Sequence, residues 1–157
     1  MKAVLQRVAW ARVKVEGEVR ASIGRGLLIL VAIERGDTLE AVEKAAERFA
    51  TLRVFEDAEG KMNVGLTEAG GSVLLVSQFT LAGSIAKGRR PSFDGAAPPE
   101  VARPLFEALV DALGKRGVVV ATGVFGARME VELLNDGPVT FIWQYPQPKG
   151  PAQGADI

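Results

Sequence analysis

A chain of 157 residues, 48% hydrophobic and 24% charged, has the size and balance of one globular domain. Its 19 basic and 19 acidic side chains cancel, so no global field draws in a polyanion; nucleic-acid contact must come from local clusters. With no cysteine and no histidine, disulfides, thiol nucleophiles, imidazole bases and the usual zinc ligands are excluded together.

The N-terminus lacks a basic-then-apolar signal pattern. The longest apolar run, Gly26 to Ile33, is too short to cross a bilayer. A soluble, cytoplasmic protein is expected, with no membrane partner. Val4, Gln6 and Val8 alternate weakly. Ala11, Val13 and Val15 then alternate with Arg12, Lys14 and Glu16, as in a half-buried strand. Leu27 to Ile33 is continuously apolar and reads as a strand covered on both faces. Asp37-Thr38-Leu39-Glu40 predicts a helix start, with Asp37 as N-cap and Glu40 three residues on. Leu39, Val42, Ala46, Phe49 and Ala50 fall on one face of that helix.

Arg53–Glu56 predicts a further strand and Asp57–Gly60 a turn. Ser72 to Phe79 predicts a buried strand ending in the polar pair Ser77-Gln78. Gly83 to Pro98 is a long Gly/Pro-rich loop carrying Lys87, Arg89 and Arg90; loops of this length tend to be functional or mobile. Pro98-Pro99-Glu100 opens a second helix, with Val101, Leu105, Phe106, Leu109 and Leu113 facing inward and Gly117 at its end. Val118–Ala121 is a strand. Met129 to Tyr145 reads as strand, break and strand, with the break at Asn135-Asp136-Gly137-Pro138, because proline donates nothing to a ladder. Strands outnumber helices and are not regularly separated by them. The class is therefore α+β, a mainly antiparallel, barrel-like sheet core with two principal helices. Residues 1–145 form the expected domain, and the Pro/Gly-rich 146–157 a flexible tail.

Each notable segment admits an ordinary reading. Asn-Asp-Gly is turn chemistry, and hydroxyls at strand ends are usually solvated or capping. In this order, however, Ser77-Gln78-Phe79-Thr80-Leu81 and Asn135-Asp136-Gly137-Pro138 resemble the two signature motifs of the D-aminoacyl-tRNA deacylase family. Leu5-Gln6-Arg7-Val8, Gly60-Lys61-Met62-Asn63, Gly70-Gly71-Ser72-Val73 and Arg89-Arg90-Pro91-Ser92-Phe93 extend the resemblance from Met1 to about Tyr145. After Leu81 the chain departs from common relatives with Ala82-Gly83-Ser84, which leaves the loop's RNA contacts open.

The resemblance implies the deacylase fold and hydrolysis of the ester of D-aminoacyl-tRNA, with glycyl-tRNA also accepted and no cofactor. It implies a homodimer with the active site at the subunit interface. A cis Gly137-Pro138 peptide would enter the partner's pocket, and its carbonyls would exclude an L side chain. Ser77, Gln78, Phe79 and Thr80 would form the catalytic segment; Asn135, Arg7, Leu81 and Met129 would support substrate binding. Lys87, Arg89, Arg90 and Phe93 would meet the 3′ end and acceptor stem. From the residues alone the chemistry stays open. Thr80 or Ser77 as nucleophile lacks a base, whereas backbone N–H groups at Phe79 and Thr80 can stabilise an oxyanion directly. By residue type Arg7 reads as surface and Met129 as core, the basic loop can be solvated, and Phe93 can equally anchor the loop. The alternative class is an inactive nucleic-acid-binding module on the same fold.

Overall fold

The computed structural model describes residues 1–148. Its elements in chain order are strands β1 (Lys2–Val15), β2 (Glu18–Ile23) and β3 (Gly26–Ala32), helix α1 (Leu39–Thr51), strands β4 (Arg53–Glu56), β5 (Met62–Gly65) and β6 (Ser72–Ser77), a 3-10 turn (Phe79–Ala82), helix α2 (Pro99–Lys115), and strands β7 (Val120–Thr122) and β8 (Glu130–Gln144). No helix of the described residues is long and apolar enough to cross a membrane.

The buried run Leu27–Ala32 forms the spine. It pairs antiparallel with β1 on one side and parallel with β6 on the other, and β6 pairs parallel with β7. The remaining pairings of β1, with β2 and β8, are antiparallel. The sheet is thus mixed, with its two parallel pairings beside the spine. Alternation sorts the core into two layers. Leu27, Ile29, Val31, Val73 and Leu75 face Phe49 of α1 and Phe106, Leu109 and Leu113 of α2. Leu28, Leu74 and Val76 face the other way, against Val8, Ala11 and Val13 of β1. The long strands β1 and β8 therefore cover the second face as well, and the sheet nearly closes on itself.

Several expectations change in detail. Strand β2 is an element the sequence pattern did not predict. Glu16 and Gly17, at φ 52° and 78°, make a tight turn that folds it back onto β1. Thr38, not Asp37, is the N-cap of α1, and its side chain makes no cap hydrogen bond. Asp37 is otherwise engaged: its carboxylate accepts the Met1 amino group at 2.8 Å and the Glu34 N–H at 2.7 Å. Leu39 and Val101 are exposed, not on the buried helix faces, which Ala41, Ala45, Ala102 and Ala112 help to form. Strand β6 stops at Ser77 and the chain turns into 3-10 geometry at Phe79. The largest change is in β8, which is one strand running through Gly137-Pro138. The proline is absorbed by register shifts: Val8 pairs with Asn135, but Gln6 pairs with Thr140. Of the 146–157 segment, most lies outside the described residues.

Candidate active site

The Gly-Pro tip is built by its neighbours. Residues 136–139 bulge from the β1–β8 ladder, with Asp136, Gly137 and Pro138 exposed. Asn135 closes the bulge from within. Its Oδ1 accepts the Val139 N–H at 2.7 Å, and its Nδ2 donates to Thr140 Oγ1 at 2.9 Å. Gly137 has φ 144°, and a Cβ there would lie 2.6 Å from Val139 Cγ2 and 2.9 Å from Val139 N. Only glycine fits without displacing the bulge. The Gly137-Pro138 peptide is cis.

Arg7 holds the tip from below. It is the one buried charged residue of the described core, at 6% exposure, so a plain surface role is excluded. Nε donates to the Asp136 carbonyl and Nη1 to the Val54 carbonyl, each at 2.8 Å, while Nη2 lies 3.7 Å from Glu56. Strand β4 thereby becomes a buttress. The turn that joins it to β5 is fixed by Asp57, which accepts from Asn63 Nδ2 and from the backbone N–H groups of Lys61 and Glu59. The Asn63 bond first, and then the Lys61 N–H, hold the Asp57 carboxyl below the usual range.

The second motif lies elsewhere. Gln78 N–H donates to the Val31 carbonyl at 2.8 Å, which ties the end of β6 to the spine. The chain then turns, and among the described residues the N–H groups of Phe79 and Thr80 have no backbone acceptor, while Leu81 N–H bonds Gln78 O. Gln78 Nε2 donates to Thr80 Oγ1. An amide donor is no base, so this bond does not activate the Thr80 hydroxyl.

Beside this turn is an apolar cavity of 410 Å³, lined by Ser77, Gln78, Phe79, Ala102, Arg103, Phe125 and Gly126 among others. Sequence reasoning missed Phe125 and Gly126; an aromatic between Gly123 and Gly126 in a short turn is the available signal. It missed Arg103 because an arginine on a helix is ordinary. Met129 is not among the lining residues. It packs against the second core layer, where a Cβ on Gly123 would come 2.7 Å from its sulfur. Leu81 and Phe93 line a neighbouring hollow with Thr80, Gly83, Ile85 and Pro91. The Phe93 ring meets Phe79 edge-on at 5.2 Å, so it anchors the loop to the turn. Lys87, Arg89 and Arg90 are exposed on that loop. Among the described residues no cluster of His, Cys, Asp or Glu is arranged to hold a metal ion.

Measured along the sheet, the two motifs lie apart within one chain. Ser77 pairs with Val31 and Val31 with Ala3, whereas the tip sits beside Arg7, four residues farther along β1. At ~3.3 Å per residue and ~4.8 Å per strand, that is about 13 Å along the sheet and about 14 Å across three strands.

An exposed backbone tip, a donor-bearing turn and an apolar cavity without acid–base residues make up the candidate site, and the class of protein follows from its relatives. Comparison with known proteins specifies it. The family model described as D-Tyr-tRNA(Tyr) deacylase matches residues 4–144. A D-aminoacyl-tRNA deacylase of Geobacter sulfurreducens is 56% identical over 142 residues, covering 90% of this chain and 93% of its own. One from Methylococcus capsulatus is 56% identical over 151 residues, covering 96% and 99%. A solved structure named c-Myc DNA Unwinding Element Binding Protein superposes with a TM-score of 0.88 at 40% identity, over 94% of this chain and 100% of that one. A structure described as a probable eukaryotic D-amino acid tRNA deacylase matches with a TM-score of 0.79 at 21% identity, over 90% and 97%, and supports the fold alone. The chain belongs to the D-Tyr-tRNA(Tyr) deacylase family.

Proposed function

We propose that this chain hydrolyses the ester of D-aminoacyl-tRNA in a site that two copies of it complete together. The cavity beside Ser77 takes the terminal nucleoside, with Phe79 and Phe125 as apolar walls for the base. The ester carbonyl lies over the turn, where the N–H groups of Phe79 and Thr80 stabilise the oxyanion. An aminoacyl ester is already activated, so the protein needs no strong nucleophile. The 2′-hydroxyl of the terminal adenosine assists attack. Lys87, Arg89 and Arg90 meet phosphates of the acceptor stem. The reaction belongs in the cytoplasm, where aminoacyl-tRNA is used.

The tip of the partner copy supplies selection. Bare carbonyls at Gly137 and Pro138 reject the side chain of an L-amino acid, and a D-amino acid or glycine fits. Selection by rejection requires no recognition of any particular side chain. The observation that carries the reading is the separation of tip and turn within one copy. The outer edge of β8 supports it. Among the described residues this 15-residue strand pairs only with β1, and it exposes Ile142 at 83% and Phe141 at 43%. A long apolar edge calls for a cover, and a second copy is the commonest one.

Mixing two inactive variants tests the arrangement. Gly137→Val spoils the tip, and Gly126→Trp blocks the cavity. Co-refolded together, they should regain about one quarter of wild-type activity, since half the dimers are mixed and one of their two sites is whole. No recovery, with mixed dimers shown to form, would place both motifs in one copy and contradict the proposal.

A nucleic-acid-binding module without activity is the second reading, favoured by the DNA-binding name of the solved relative at 40% identity. The two part on one result: whether D-tyrosyl-tRNA loses its amino acid faster with the protein than without it.

A further inference from the structure

Arg103 stands on the first turns of α2 with its guanidinium carbon 4.7 Å above the centre of the Phe125 ring. It borders two hollows at once: the 410 Å³ cavity beside Ser77 and a neighbouring one of 390 Å³. Among the residues lining the first it is the sole cation; its companions there are apolar apart from Ser77 and Gln78. Among the described residues it pairs with no carboxylate. Glu107, one turn on, borders the neighbouring hollow but forms no ion pair with it. An arginine held over an aromatic ring loses less freedom on binding than one free in solvent. Its planar fork stays open to a bidentate oxyanion.

We propose that Arg103 grips the phosphate on the 5′ side of the terminal nucleoside of the tRNA. The inference rests on reading the adjoining cavity as the nucleoside site. With the base between Phe79 and Phe125, the sugar's 5′ oxygen must leave past the cavity lining, where Arg103 is the sole cation. The stack gives the guanidinium a fixed orientation, so the contact positions the 3′ end as well as attracting it. Lys87, Arg89 and Arg90 lie on a different loop and serve phosphates farther along the stem.

The test compares wild type with Arg103→Ala and Arg103→Lys on D-tyrosyl-tRNA across a range of NaCl, with adenosine and 5′-AMP as competitors. Arg103→Ala should raise KM about tenfold, the scale of one charge-assisted hydrogen-bonded contact, and leave kcat within about twofold. The slope of log kcat/KM against log salt should become shallower by about 0.7 to 0.9, the value for one phosphate contact. Wild type should bind 5′-AMP more tightly than adenosine, and Arg103→Ala should bind them alike. Arg103→Lys should restore the slope and only part of the KM. An enzyme that stays D-selective but shows unchanged KM, slope and 5′-AMP preference in Arg103→Ala overturns this assignment alone. A fall in kcat with the 5′-AMP preference intact overturns it too. A wild type that attacks D- and L-tyrosyl-tRNA alike overturns the reading of the site beneath it.

Discussion

Arg7 Nε donates to the carbonyl oxygen of Asp136 across 2.8 Å, so a buried cation on the first strand fixes the exposed tip of the last. The same guanidinium reaches Val54, which ties the tip to the β4–β5 hairpin. Two strands far apart in sequence and one hairpin thus converge on the backbone that the proposed function uses.

Arg7→Ala should weaken both fold and selection. It leaves the buried Val54 carbonyl without its donor, at a cost of about 1–3 kcal/mol, and releases the Asp136 carbonyl at the exposed tip. A drop in melting temperature together with a smaller D-over-L ratio is the expected pair of results. Loss of stability with selection intact would mean that the tip holds its shape without Arg7.

Gly137→Ala should cost more at the site than in the fold. The new Cβ would sit 2.6 Å from Val139 Cγ2 and 3.3 Å from Arg7 Nη2, and the backbone lies in a region that favours glycine. The tip is on the surface and has room to shift, so the chain should still fold. Circular dichroism should match wild type while D-aminoacyl-tRNA hydrolysis falls by at least about tenfold, the change that ~1.4 kcal/mol at the barrier produces.

Thr80→Ala should retain substantial activity, within about tenfold of wild type, because removing a neutral hydrogen-bonding hydroxyl costs roughly 0.5–1.5 kcal/mol. Replacing the terminal adenosine by 2′-deoxyadenosine should hurt more. A trapped acyl-Thr80 adduct, or turnover abolished with binding intact, would instead establish covalent catalysis.

Much of the fold and of the site is legible in the chain, and the exceptions share causes. The spine is plain because a strand covered on both faces needs an unbroken apolar run, and Leu27–Ile33 is one. Strand β2 escapes a pattern reading although Val19, Ala21 and Ile23 alternate with Glu18, Arg20 and Ser22; the pattern is short and largely exposed. The break expected at Pro138 is smaller than the residue type suggests. A proline costs a central strand a ladder bond, but here it falls in a bulge on a strand with a free edge. The burial of Arg7 follows from partners 47 and 129 residues away, which no local pattern encodes. The role of Phe125 arises only when its turn is brought against α2.

Acid should loosen the clasp between β1 and β8. Glu132 accepts from Lys14 at 2.7 Å and pairs with Arg12, its cross-strand partner. The Lys14 bond first, then that to Arg12, hold its carboxyl below the ordinary value of 4.5. A lowered folded value contributes stability above the unfolded pKa, and that contribution is lost as pH falls through the folded one. Between pH ~5 and the acid limit, Glu132→Gln should therefore lose less stability than wild type. Raised salt should shrink the difference, because the cluster is only half-buried and open to solvent. Parallel acid-denaturation curves for the two proteins would show that the clasp contributes nothing.

Selection by a backbone tip is tested most directly by the rates of release from D- and L-tyrosyl-tRNA. Rapid release of the D-amino acid is expected, with release of the L-amino acid no faster than in buffer alone. Comparable release of both would contradict selection by the tip.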